Sequence, residues 1–256
     1  MIRFALLLIV VLVPSSVFCG NNERGIPILA YHRFGPTVAD SMTVTDAVFE
    51  AHLKYLKENG YRIAPLREVL ELSSKPLPPD ARIVALTADD GHITVLTHAF
   101  SLLKKYRAPM TLFIYPSAIS NASYAMTWDQ LRELKASGLF EIESHTYWHP
   151  NFKKEQARLK REEYEKTVET QLKKSKDVLE KKMSQKINML AWPFGIYDPW
   201  LEGKAADAGY VAAFSIDRHP ATAGDRRMAF PRYLMSNADQ GKNFKRIAAG
   251  LITSKN

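Results

Sequence analysis

Along most of the chain, short apolar runs alternate with longer stretches whose apolar residues recur every three or four positions. Residues 26–32, Ile-Pro-Ile-Leu-Ala-Tyr-His, read as a buried strand ending on a polar residue. Residues 45–59 carry an apolar stripe through Val48, Leu53 and Leu56 that stops at Gly60, which predicts a helix. The proline-rich stretch 73–80 reads as a loop, and 82–87 as a strand buried on both faces. The pattern then repeats. A helix is expected over 96–106, a strand over 110–115, a helix over 127–137 opening on a Thr127 N-cap, and a strand over 139–144. One long helix is expected over 155–182, with Tyr164, Val168, Leu172 and Leu179 on one face. A strand over 187–192, a helix over 202–208 and a strand over 211–216 complete the series. Strands alternating with helices imply a parallel sheet with right-handed crossovers. The two candidate architectures are an open doubly wound sheet and a closed or nearly closed barrel. No glycine-rich phosphate loop follows the first strand, which weakens the dinucleotide-binding form of the open sheet.

Composition adds a location. With 256 residues, 46% of them hydrophobic, the chain can build a core without disulfides or a structural metal. Arg3 precedes an apolar run from Phe4 to Val13, followed by Pro14, Ser15 and Ser16. That is the layout of a secretory signal peptide, too short to span a bilayer comfortably. The expected organisation is a signal segment over 1–19 and a single domain over 20–256, exported to the periplasm or beyond. Acylation at Cys19 and an uncleaved anchor are the alternatives, but lipidation signals want a small residue where Phe18 stands. Cleavage after Cys19 leaves no cysteine, excluding thiol catalysis and disulfides. The net charge of +8 favours anionic partners, including peripheral contact with the cell envelope. Much of the excess sits in 153–182 and reads as a solvated helix face. With no arginine-rich arm, zinc-finger spacing or aromatic RNA-binding signature, nucleic acid is not an expected partner.

Four segments end predicted strands on polar residues: Tyr31-His32, Thr87-Ala88-Asp89-Asp90-Gly91, His145-Thr146-Tyr147-Trp148-His149 and Trp192-Pro193-Phe194-Gly195. In a barrel, reactive residues collect at such ends. Adjacent carboxylates after an apolar strand are costly without a nearby cation, and a metal resolves the cost. Taken alone, Asp-Asp-Gly reads more readily as a turn than as a site. His145 and His149, four residues apart, can reach one ion, or be two unrelated histidines. Together, Asp90, His145 and His149 make an open three-ligand site more economically than two accidents do.

These motifs, in this order, resemble those of the polysaccharide deacetylase superfamily, the family-four carbohydrate esterases. That family carries T-F-D-D-G, H-[ST]-x-x-H and a proline-containing third motif. Here Ala88 replaces the phenylalanine, and Ala191-Trp192 stands where an arginine usually precedes the proline. Tyr31-His32 and Pro231-Arg232 match the branch acting on poly-β-1,6-N-acetylglucosamine. The resemblance implies an irregular (β/α)7-type barrel and hydrolysis of N-acetyl groups on an N-acetylglucosamine-containing polysaccharide. It implies a divalent metal, zinc first, with cobalt and nickel open to the same donors. It assigns Asp90, His145 and His149 to the metal, Asp89 as base, His32 as general acid, and Arg232 as the group holding Asp89 ionised. The Phe194 N–H would face the oxyanion, and Trp148, Trp192, Pro193 and Phe194, with Tyr197, would line the sugar site or else pack the core. His219 is the alternative acid, whereas His92 and His98 read as ordinary, partly exposed histidines. Two other functions stay open: a non-catalytic carbohydrate-binding protein on this scaffold, and an O-acetyl glycan esterase.

Overall fold

The computed structural model describes residues 24–252 apart from Pro76 and Pro79, so the expected signal segment and Cys19 lie outside the described residues. The chain runs through β1 (Ile28–Tyr31), β2 (Arg33–Gly35), β3 (Thr43–Thr45), α1 (Asp46–Glu58), β4 (Arg62–Ile63) and α2 (Leu66–Leu72). It continues through β5 (Ile83–Asp89), α3 (Phe100–Tyr106), β6 (Met110–Ile114), α4 (Trp128–Ala136) and β7 (Phe140–Ser144). Then come α5 (Phe152–Arg158), α6 (Arg161–Met183), β8 (Met189–Ala191), α7 (Pro199–Asp207), β9 (Ala212–Phe214), β10 (Tyr233–Leu234) and α8 (Gly241–Ala248). Among the described residues, no helix is long and apolar enough to cross a membrane.

The main sheet is parallel, in the order β10-β1-β5-β6-β7-β8-β9, with β4 pairing the start of β5. Its two outer strands are drawn together by the segment between them. The Phe230 N–H donates to Ala213 O, and the Ser215 N–H to Phe230 O, each at 2.8 Å. Three residues later the chain enters β10 beside β1. The sheet therefore curls into the single-domain irregular (β/α) barrel that the alternation of elements implies.

Period-two alternation sorts the strand residues into two buried clusters. Leu29, Tyr31, Leu86, Ala88, Leu112 and Ile114 face the surrounding helices. Tyr31 packs edge-on to Phe49 of α1, with ring centroids 5.1 Å apart. Ile28, Ala85, Phe113, Met189 and Phe214 join Leu66 and Val69 of α2 in the other cluster. Arg67 of α2 bonds Glu141 near the start of β7 and Asn188 just before β8, so α2 plugs the barrel's N-terminal end. The same alternation turns Thr87 and Asp89 inward at the opposite end, while Ala88 packs outward among the helices.

One expectation fails. The charge-rich stretch over 155–182 is two helices, α5 and α6, because two starts compete within it. Asn151 caps α5 by accepting from the Lys154 N–H at 3.1 Å, and Glu163 accepts from the Lys160 N–H at 3.2 Å to open α6. Leu159 stays extended between them and packs against the core. β4, α2, β10 and α8 go beyond the periodicity reading. Helix α7 also starts earlier than expected, on an Asp198 cap with Pro199 in its first turn.

Candidate active site

Strands β1, β5, β7 and β8 deliver the four polar segments to the C-terminal end of the barrel. Ligand atoms of Asp90, His145 and His149 lie within 4.8 Å of one another. Asp90 Oδ1 is 3.7 Å from Nε2 of each histidine. The donors fit a divalent ion. With bonds of about 2.0–2.2 Å, ligands around a tetrahedral ion sit about 3.3–3.6 Å apart. The His145 Nδ1–H donates to Ala191 O at 2.8 Å, leaving Nε2 as the lone-pair nitrogen facing the cluster. Burial, with His145 beside it, lowers the His149 pKa to about 4, keeping the ring neutral, as ligation requires.

The backbone is bent to place these atoms. Among the described residues, seven non-glycine residues have positive φ, and four of them, Asp90, Thr146, His149 and Phe194, belong to the site's motifs. Gly91 follows at φ +72°, where an added Cβ would lie 3.0 Å from Ile114 and Ile119 side-chain carbons. Gln171 of α6 steadies the histidine turn, its Oε1 accepting the Tyr147 and Trp148 N–H groups at 3.1 and 2.9 Å.

Behind the triad lies a buried ion pair. Arg232 is 0% exposed and donates to both Asp89 oxygens, at 2.8 and 2.7 Å. Its Nε donates to Ser215 O at 3.0 Å and its Nη1 to Thr87 Oγ1 at 3.2 Å. Burial opposes ionisation of Asp89, but the Arg232 guanidinium outweighs it and holds the carboxyl well below the usual carboxylate range. Asp89 Oδ2 also lies 3.9 Å from His145 Nε2, so a carboxylate lone pair remains on the cluster side. His32 sits close enough to feel Asp89 and Asp90. Burial lowers its pKa, the two carboxylates oppose that, and its buried Nδ1 has no protein partner.

The proposed sugar walls divide. Phe194 is 56% and Trp148 45% exposed, and the Phe194 ring lies 4.6 Å from that of His149. Trp192 is 1% exposed, packs edge-on to Phe152, and donates its indole N–H to Met228 O at 2.8 Å. It is a core residue and not a sugar wall, because the strand end that carries it points into the protein. Pro193 is buried in the short turn that projects Phe194 outward. Tyr197 is tied by its hydroxyl to Asp217 at 2.7 Å. His219 faces Asp225 and the Pro220 carbonyl, with no contact to the triad, and His98 pairs with Asp46. His92 is half-buried, in keeping with the partly exposed histidine expected. It stacks under Tyr124 at the rim, and Tyr115 lies beside His149. Both tyrosines escaped the sequence reading, although Tyr115 ends its apolar strand in the way the other site segments do.

Residues 77–213 match the family described as Polysaccharide deacetylase, over more than half of the chain. The chain belongs to the polysaccharide deacetylase family. The matched span holds the Asp pair, both histidines and the Trp192–Gly195 turn, while His32 and Arg232 lie outside it. The chain is 27% identical over 199 residues to the poly-beta-1,6-N-acetyl-D-glucosamine N-deacetylase of Staphylococcus aureus (strain MRSA252), covering 76% of this chain and 68% of that one. It superposes on the Streptococcus pyogenes deacetylase PplD, solved in complex with acetate, with a TM-score of 0.78 and 26% identity. That match covers 88% of this chain and 99% of PplD. IcaB from Ammonifex degensii shares the fold with a TM-score of 0.76 at 24% identity, over 88% and 96% of the two chains. The polysaccharide deacetylase barrel and the inward-facing acid–histidine cluster thus come together in one chain.

Proposed function

We propose that this polysaccharide deacetylase removes N-acetyl groups from a β-1,6-linked N-acetylglucosamine polymer, using zinc held by Asp90, His145 and His149. The observation that carries the reading is the open triad set directly beside the buried Asp89–Arg232 pair. A pure sugar binder has no use for that combination. The Staphylococcus aureus relative supports the choice of polymer. A divalent ion on these three side chains supplies Lewis acidity for the acetamide carbonyl and acidity for the attacking water.

The remaining work falls to the chain. Asp89, kept ionised by Arg232, accepts the proton of the attacking water through the carboxylate lone pair on the cluster side. The backbone N–H of Phe194 donates to the oxyanion as the carbonyl carbon becomes tetrahedral. His32 delivers a proton to the departing amine, without which the C–N bond does not break. Acetate and a free amine leave. Residues 1–19 act as an export signal, which places the enzyme in the periplasm or outside the cell, where such polymers lie.

The test is acetate release from β-1,6-linked N-acetylglucosamine oligomers, with chelator and with zinc restored. Release that stops with chelator and returns with zinc supports the reading. No release from any N-acetylglucosamine polymer by the zinc-loaded protein refutes it. Faster release from O-acetylated glycans would reassign it as an esterase.

A further inference from the structure

At its C-terminal end β6 runs into Tyr115, and the loop beyond it returns through Tyr124. The two hydroxyls are hydrogen-bonded to each other. The Tyr115 ring centroid lies 5.4 Å from that of His149 and 6.4 Å from that of His145. Tyr124 stacks on His92 with centroids 5.9 Å apart and planes 14° apart, yet remains 40% exposed. The backbone fixes this stack. The Ile93 N–H donates to Tyr124 O at 2.8 Å, and His92 pairs with Ala125 in an antiparallel bridge. The His92 ring is in turn held by Thr94 Oγ1 at 2.8 Å from Nδ1. Tyr124 is thus braced from below and at its hydroxyl while staying open to solvent, two rings from a triad histidine.

We propose that Tyr124, braced by Tyr115 and His92, is the platform on which the sugar ring next to the reacting one stacks. The platform rests on the deacetylase reading and extends it to substrate positioning. A β-linked N-acetylglucosamine ring carries its substituents equatorially, so its faces present C–H groups that fit an aromatic plane. An axial hydroxyl, as in the galacto configuration, spoils one such face. Because β6 and β8 flank β7, Tyr124 and Phe194 border the histidine turn on two sides, and a polymer can lie between them.

Tyr124→Ala and Tyr124→Trp test the platform against three probes. These are the β-1,6-linked N-acetylglucosamine tetramer, its fully deacetylated product and a small aryl acetate. Loss of one stacked ring raises KM for the tetramer about tenfold in Tyr124→Ala and leaves kcat within about twofold. Turnover of the aryl acetate, which needs no second ring, stays at the parent value. Product-tetramer affinity, read by calorimetry on the zinc-loaded protein, falls by a similar factor, and Tyr124→Trp restores it. Unchanged KM and product affinity in Tyr124→Ala, with a parental circular dichroism spectrum, overturn the proposal. If no variant releases acetate but product binding still falls in Tyr124→Ala and returns in Tyr124→Trp, the deacetylase reading fails and the platform stands.

Discussion

Replacing Arg232 with methionine tests the buried ion pair most directly. Both partners are almost wholly buried, and the guanidinium spans both Asp89 oxygens at 2.7–2.8 Å. Removing one member of such a pair strands the other charge, at a cost of about 3–5 kcal/mol. For a domain of this size, about 2–4 °C per kcal/mol makes that a drop in Tm of about 6–20 °C. The pH dependence must also change sign. In the parent, the Asp89 pKa lies below its unfolded value, so its stabilisation is full above about pH 4 and declines only as acid approaches the folded pKa. In Arg232→Met the buried carboxyl has lost its cation and its pKa rises. Stability then falls as pH increases from the unfolded value through the raised one. Replacing both residues, Asp89→Asn with Arg232→Met, removes the stranded charge and recovers all but about 1 kcal/mol. The assay is urea denaturation of the four proteins between pH 4 and 7, with chelator present throughout so that metal linkage does not contribute. Equal destabilisation by Arg232→Met in the parent and in the Asp89→Asn background would refute the reasoning, since it would leave no coupling between the two groups.

Other outcomes follow from the same geometry. His145→Ala abolishes both bound zinc, measured by mass spectrometry of the dialysed protein, and acetate release, while the Tm of the chelated protein changes far less. Removing a general acid lowers kcat by about 10²–10⁴, so His32→Gln slows release from an N-acetyl oligomer by that factor but spares an activated aryl ester, whose leaving group needs no proton. Equal losses on both substrates would exclude His32 as the acid. Burial pushes the Glu143 pKa up to about 7, against donation from two backbone N–H groups and Arg67. Stability therefore declines as pH rises from about 4.5 to 7. Glu143→Gln removes that part of the slope in the pH dependence of urea midpoints. Restoring the family's aromatic with Ala88→Phe overfills the helix-facing layer and lowers stability by about 1–3 kcal/mol, with kcat in the folded fraction preserved.

Much of the candidate site's placement was legible because strands obey a period of two. A polar residue that ends an apolar strand of a parallel barrel appears at the C-terminal rim, and the inward parity of Asp89 follows from residues that are its near neighbours in sequence. The helix starts at Thr45 and Thr127 were equally local, each cap needing only a side chain and an N–H three residues on. Short elements were not legible. β4 and β10 are two residues each, too brief to show any period, and they exist because β5 and β1 offer them edges. The two helices that share the stretch 155–182 are separated by their own starts, at Asn151 and Lys160, with Leu159 extended between them.

The chemistry of the site was therefore written into the sequence, in an Asp pair and a His pair whose donors suit a divalent ion. The tertiary structure decided which groups surround that chemistry. Trp192 and Trp148 are indistinguishable as residue types, but one is sealed at a strand end and the other stands at the rim. Arg232 meets Asp89 across 143 positions, and the contact itself exists only because the segment from Ala213 to Phe230 draws the outer strands together. Tyr124 finds His92 through a bridge between two loops. Periodicity reports which face of one element is buried, whereas barrel closure determines what that face meets.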